Sequence, residues 1–152
     1  MDDFVSRLNV LLVDTFNNIL KYEESSLKKA LKVPVTITEA HIIEAIGMRQ
    51  DDETTISDIA SYMGIAAPTA TVAMKKLESK GFVRRSGSAT DGRRVVISLT
   101  DLGERIDRAH RLFHRKMVRN ISMQFPDDEK DILLRAMQKL SEYFNGRIEA
   151  RI

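Results

Sequence analysis

The sequence predicts a mainly α-helical protein with one small β-wing: a winged helix-turn-helix lobe flanked by long N- and C-terminal helices. Three observations predict it. Two short capped helices meet around a glycine within residues 55–81. A basic hairpin follows at residues 82–99. Apolar stripes at three- and four-residue spacing lie on both sides, near residues 4–20, 102–121 and 132–148. The chain has 152 residues, 43% hydrophobic and 30% charged. That is single-domain length with enough apolar content for a core.

The first helix is expected over residues 4–31, where Val5, Leu8, Leu12, Phe16, Ile19 and Leu20 share a face and Leu11 widens it. Pro34 cannot continue it. Thr38 is expected to cap a second helix, with Glu39 in its first turn, running to Gly47 or Arg49. Asp51-Asp52-Glu53 reads as a solvated loop. Thr55-Ile56-Ser57-Asp58 matches a capping box before a short helix that Gly64 stops. Pro68 suits the start of the next helix, which is expected to turn Val72, Ala73 and Leu77 inward and Lys75, Lys76 and Lys80 outward before Gly81. Phe82–Arg85 and Arg94–Leu99 are β-compatible, and the polar run between them contains Asp91-Gly92, a hairpin turn signal. Thr100 caps another long helix carrying Leu102, Ile106, Ala109, Phe113, Met117 and Ile121. Phe125-Pro126 breaks it. A last helix carries Leu133, Met137, Leu140, Phe144 and Ile148.

Charge narrows the function. The net charge is only +2, but it is unevenly placed. Residues 1–54 hold six basic and ten acidic side chains, whereas residues 55–100 hold seven basic and three acidic. A basic middle points to a local polyanion-binding surface. No window is apolar enough to span a membrane. The acidic N-terminus lacks a signal-type apolar core, and a cytoplasmic location is expected. The absence of cysteine removes disulfides, thiolate metal sites and thiol switching. No Gly-rich phosphate loop, Gly-x-Ser-x-Gly or cofactor fingerprint appears, so an enzyme is not expected. Asp127-Asp128-Glu129 fits the acidic first turn of a helix better than a catalytic pair.

The middle segment suits double-stranded DNA. A second helix lying in the major groove offers Pro68, Thr69, Ala70, Thr71 and, one turn on, Met74 or Lys75 to base edges. The first helix offers its N-terminal amides, with Thr55 and Ser57, to a phosphate. Lys75, Lys76, Arg84, Arg85 and Arg94 serve the backbone, and Arg93 at the hairpin tip suits a narrow minor groove. The competing reading is a small α+β lobe whose threonines and lysines face water.

Asp91-Gly92-Arg93-Arg94, then Val-Val-Ile-Ser and Leu99-Thr100-Asp101-Leu102-Gly103, resembles the wing signature of MarR-type repressors. Ile56-Ser57-Asp58-Ile59-Ala60 and Lys76–Val83 fit the same pattern, and the likeness runs over essentially the whole chain. The resemblance implies a homodimer on a palindromic operator, with Asp91 orienting the wing and Arg93 in the minor groove. It divides the chain into dimerisation helices at 1–34 and 101–152 and a DNA-binding lobe at 36–100. The three apolar stripes support a dimer independently, since one small lobe cannot cover them all; a monomeric bundle beside the lobe is the alternative.

Phe16–Leu20 with Glu23-Glu24, Glu39-Ala40-His41 and Phe113–Val118 resemble the members that repress fatty-acid synthesis genes. This implies a long-chain acyl ligand presented by acyl carrier protein, with Phe16, Ile19, Ile43, Ile46, Phe113 and Met117 as candidate pocket lining or as ordinary core. His110 and His114 share one helix face at i, i+4 spacing, which can hold a metal. With Glu24 and His41 they resemble the zinc site of zinc-sensing members. Without metal, these groups form a polar network. A dimer that binds an acidic protein instead of DNA is the reading of another class.

Overall fold

The computed structural model describes residues 3–49 and 53–149; of the expected loop at 51–53, Asp51 and Asp52 lie outside them. The order of elements is α1 (Asp3–Leu31), α2 (Ile37–Gly47), α3 (Ile56–Met63), α4 (Ala67–Ser79), β1 (Val83–Gly87), β2 (Val95–Leu99), α5 (Asp101–Ser122) and α6 (Asp127–Glu149). This is the winged helix-turn-helix arrangement expected. The chain divides into two compact units, one ending at Phe113 and one beginning at His114. No helix among the described residues is long and apolar enough to cross a membrane.

Local chemistry fixes each element of the first unit. The cap of α2 is Thr36, not Thr38. Its hydroxyl accepts the Glu39 amide at 3.2 Å, and the Glu39 carboxylate accepts the Thr36 amide at 2.9 Å. The reciprocal box needs partners three positions apart, which Thr36 and Glu39 satisfy and Thr38 and Glu39 do not. Helix α2 buries Ala40, Ile42, Ile43, Ala45 and Ile46, more than one face of the helix, as befits a helix covered on several sides. Thr55 and Asp58 form the second capping box, and Gly64 ends α3 in the left-handed region at φ 63°. Along α4 the inward residues are Ala70, Met74 and Leu77. Val72, expected inward, is 68% exposed; spacing of four and three residues from Ala70 leaves it on the opposite face.

The wing is a two-stranded antiparallel sheet pairing Val83 with Leu99 and Gly87 with Val95. Val83, Ile97 and Leu99 face the core that also holds Leu27, Ile43, Ile46, Ile59, Met74, Leu77, Phe82 and Ile106. Thr100 starts α5 as expected. Its hydroxyl accepts the Gly103 amide at 3.2 Å and donates to the Gly81 carbonyl at 2.6 Å. Gly103 is required by close approach: a Cβ there would lie 2.1 Å from the Phe82 carbonyl oxygen. In the second unit, α6 begins after Pro126 with Asp127, Asp128 and Glu129 in its first turn, and among the described residues it buries no side chain.

Candidate nucleic-acid interface and a carboxylate–histidine cluster

The exposed face of α4 carries Pro68, Thr69, Val72, Lys75 and Lys76. Thr71 is half-buried, and its hydroxyl donates to the Ala67 carbonyl at 2.9 Å. Ala70 and Met74 are buried in the core. Val72 is instead the exposed apolar residue of this face, with methyls of the kind that can pack on a thymine methyl. The sequence held the signal for this: once Ala70, Met74 and Leu77 set the inner face, Val72 must lie outside. Lys75 is exposed, whereas Lys76 lies 3.1 Å from the Glu39 carboxylate. Lys80 donates to that carboxylate at 2.8 Å and to the Pro34 carbonyl at 2.9 Å. Burial pushes the Glu39 carboxyl up, but the bonds from Lys80, Thr36 and Lys76 outweigh it and hold it below its ordinary value.

The N-terminus of α3 is already occupied by an anion. The Asp58 carboxylate accepts the Thr55 hydroxyl at 2.7 Å and the Thr55 amide at 2.8 Å, and these bonds lower its pKa. Thr55 is therefore a cap whose proton is committed, while Ser57 remains exposed. On β1 the two arginines point to opposite faces. Arg84 is exposed and donates to the Ser98 hydroxyl at 3.1 Å. Arg85 is half-buried and paired with Glu78 of α4 at 3.0 Å, so it braces the wing against the helix.

At the tip, Asp91 Oδ1 accepts the Arg93 amide at 3.0 Å, and the Asp91 carbonyl accepts the Arg94 amide at 2.9 Å. Both arginine side chains are exposed. Glu53, expected in a solvated loop, reaches the same tip. Its carboxylate accepts the Ala89 amide at 2.6 Å, the Thr90 hydroxyl at 2.8 Å and the Ser88 hydroxyl. The Ser88 and Thr90 bonds bring its pKa down to about 2.

A second constellation lies where α1, α2 and α5 supply one acid and two histidines. Glu23, His41 and His110 each offer a ligand atom within 4.8 Å of the others. Glu23 Oε1 lies 3.0 Å from His41 Nε2 and contacts His110 Nε2. His110 is fully buried, and its Nδ1 lies 2.5 Å from a Glu44 carboxylate oxygen. Burial raises the Glu23 pKa, but the bond from His110 and the charge and bond of His41 outweigh it and leave it lowered. His114 follows one turn along α5 on the face of His110. Glu24, the acid expected here, instead pairs with Lys28 at 2.8 Å on the exposed side of α1. Two adjacent glutamates cannot share a helix face, and the burial of Leu27 four residues on selects Glu23.

The apolar candidates separate. Ile43 and Ile46 are sealed in the lobe core. Phe16 is 64% exposed on α1 and Ile19 lies beside it at the surface. Phe113 is half-buried, its ring centroid 5.1 Å from Tyr22 in an edge arrangement. Met117 is half-buried on α5.

Known proteins share these features. The sequence profile of the MarR family matches residues 33–94. The HTH-type transcriptional regulator YfiV of Bacillus subtilis is 35% identical over 78 residues, and the chain spans about half its length, 51% of this chain and 49% of that one. The transcriptional regulator ZitR of Lactococcus lactis is 26% identical over 115 residues, 74% of this chain and 77% of that one. The crystal structure of Streptococcus pneumoniae FabT in complex with DNA superposes with a TM-score of 0.86 at 30% identity, over 93% of this chain and 98% of that chain. These relatives are transcriptional regulators and not enzymes. Fold, wing sequence and likeness over almost the full length agree, and the chain belongs to the MarR family of winged helix-turn-helix transcriptional regulators.

Proposed function

We propose that the chain is a homodimeric repressor that occupies a palindromic operator, with the exposed face of α4 in the major groove and Arg93 in the minor groove. The observation that carries this reading is the likeness, over 93% of the chain, to a regulator captured on DNA. Thr69 and Val72 then meet base edges, Lys75 and Arg84 meet phosphates, and Asp91 holds the turn that presents Arg93. The test is a duplex selected by the protein from a randomised pool, compared with its scrambled version. Arg93→Ala is expected to weaken the selected duplex about tenfold or more while leaving the dimer intact. Equal binding to both duplexes overturns sequence-specific repression in favour of a protein-interaction dimer.

The likeness to FabT, with the Phe16–Leu20 and Phe113–Val118 resemblance, supports control of fatty-acid synthesis genes by an acyl group on acyl carrier protein. Ile43 and Ile46 do not serve that pocket, since they are core. A zinc-responsive reading is favoured by a different observation, the convergence of Glu23, His41 and His110. The donors fit the ion: an N/O set suits zinc. The Glu44 carboxylate on His110 Nδ1 is the outer partner that leaves Nε2 as the ligating nitrogen. Glu23, His41 and His110 would hold the metal, which would tie three helices together, and His114 is the candidate fourth ligand. Equilibrium dialysis against zinc and native mass spectrometry separate the two readings: a retained metal that His110→Ala abolishes supports zinc, and a retained acyl mass supports the lipid ligand.

A further inference from the structure

Three consecutive residues before α3 stitch the lobe together. Thr55 caps the helix. The Thr54 carbonyl accepts the Ile97 amide of β2 at 2.8 Å, while its buried hydroxyl donates to the Arg49 carbonyl at 3.0 Å. Glu53 crosses to the hairpin tip. Its Oε1 accepts the amides of Ala89 at 2.6 Å and Thr90 at 3.3 Å, and its Oε2 accepts the hydroxyls of Thr90 at 2.8 Å and of Ser88. The Ser88 oxygen in turn accepts the amides of Thr90 at 3.1 Å and Asp91 at 2.9 Å. The chain of bonds therefore runs from Glu53 through Ser88 to Asp91, whose carboxylate holds the Arg93 amide.

We propose that Glu53 is the positioning residue of the wing, fixing the hairpin tip so that Arg93 is presented to the minor groove. This rests on the DNA-binding reading above. A polar tip between two short strands, with glycines at 87 and 92, samples many orientations when free. Ordering it at the moment of binding subtracts from affinity, and a tip ordered beforehand avoids that loss. The sign of the charge makes the inference sharp. On that reading Glu53 adds a negative charge beside the hairpin tip that meets DNA, where electrostatics alone works against binding. A pure charge effect predicts that its removal tightens the complex. A positioning role predicts that its removal loosens it.

The experiment measures affinity for the pool-selected duplex with Glu53→Ala and Glu53→Gln, each alone and combined with Arg93→Ala, beside amide exchange of Ala89 and Thr90 in the free protein. Glu53→Ala is expected to weaken binding about tenfold, as loss of a multiply bonded carboxylate allows, with protection lost at both amides. Glu53→Gln, which keeps one carbonyl acceptor, recovers part of the affinity and carries the comparison if the alanine variant is poorly folded. In the Arg93→Ala background the added loss shrinks to less than about twofold, because coupled residues are not additive. Unchanged or tighter binding by both Glu53 variants overturns the proposal, as do losses that multiply with Arg93→Ala. A wild type that selects no sequence overturns the DNA-binding reading itself and the presentation of Arg93 with it.

Discussion

The winged lobe and the long helices handle apolar residues in opposite ways. In the lobe, Ile43, Ile59, Met74, Leu77 and Phe82 are all at 2% exposure or less, and one chain supplies every surface that covers them. On α1, Phe4, Val10, Leu11, Val13 and Phe16 are each more than half exposed, and on α6 so are Ile132, Leu134, Met137, Phe144 and Ile148. So many exposed apolar side chains on helices of 29 and 23 residues are the mark of an interaction surface. The lobe completes its own core within one chain, whereas the apolar faces of these helices lack a cover in one chain. A second copy is the occupant proposed, and twofold symmetry then sets two lobes against successive turns of one duplex.

The largest expected effect attacks that division directly. Phe16→Asp puts a charge on the α1 stripe and, in a symmetric dimer, does so twice. Dimer dissociation is expected to rise by about a hundredfold or more, as for loss of a buried aromatic anchor, with operator binding falling in step. Tyr62→Asp, on an exposed lobe position, is the control that leaves the dimer unchanged. Sedimentation velocity at micromolar protein reads both. If Phe16→Asp remains as dimeric as wild type, that stripe is not the clasp.

Gly103→Ala attacks the lobe. The added methyl meets a backbone oxygen at 2.1 Å, and neither α5 nor the Phe82 turn moves without disturbing Leu99 and Ile106. A loss of about 3 kcal/mol is expected, typical of overpacking against fixed backbone. It appears as a fall in melting temperature of roughly 6–12 °C at fixed protein concentration. A wild-type melting curve contradicts the close approach of α5 to the turn before β1.

What could be read from the sequence divides along the same line. Helix and strand positions were legible because apolar spacing and capping boxes are local, and Thr55–Asp58, Gly64 and Thr100 behave as their neighbours dictate. The Thr36 cap and the outward Val72 were legible too, from Glu39 three positions on and from the Ala70, Met74, Leu77 spacing. The choice of Glu23 over Glu24 was not, because it depends on His41 and His110 from other elements. Glu53 was invisible for the plainest reason: its donors lie 35 to 37 residues away, and nothing near it marks it as more than a loop acid. Within the DNA-facing set proposed, local sequence could not distinguish side chains that already have protein partners, such as Thr55, Arg85 and Lys76, from those exposed without an ion pair among the described residues, such as Lys75 and Arg93.

Glu39 gives a smaller, pH-dependent effect confined to the lobe. It caps α2 and pairs with Lys76 of α4 and Lys80 at its C-cap, so Glu39→Gln is expected to cost about 1–2 kcal/mol at neutral pH, the range for a cap plus charge-assisted bonds. Its carboxyl titrates below the ordinary value of 4.5. The unfolded chain therefore takes up the proton first as pH falls. The contribution is whole above pH 4.5 and is lost as pH drops through the lower folded value. Denaturant unfolding of wild type and variant from pH 7 to pH 3 checks this: the two stabilities converge at the acid end. A gap that stays constant with pH assigns the loss to packing.

The smallest effect sharpens the contrast with Gly103. Gly146 lies inside α6, and a Cβ there meets nothing within 4 Å in the single chain. Alanine is the better helix former, so Gly146→Ala is expected to stabilise the helix by up to about 1 kcal/mol. The variant has two readouts because α6 belongs to the region whose apolar face lacks a cover in one chain. If melting temperature rises and dimerisation is unchanged, residue 146 faces solvent in the assembly. If dimerisation weakens instead, the missing side chain is needed for close approach of a second copy, and Gly146 does between chains what Gly103 does within one.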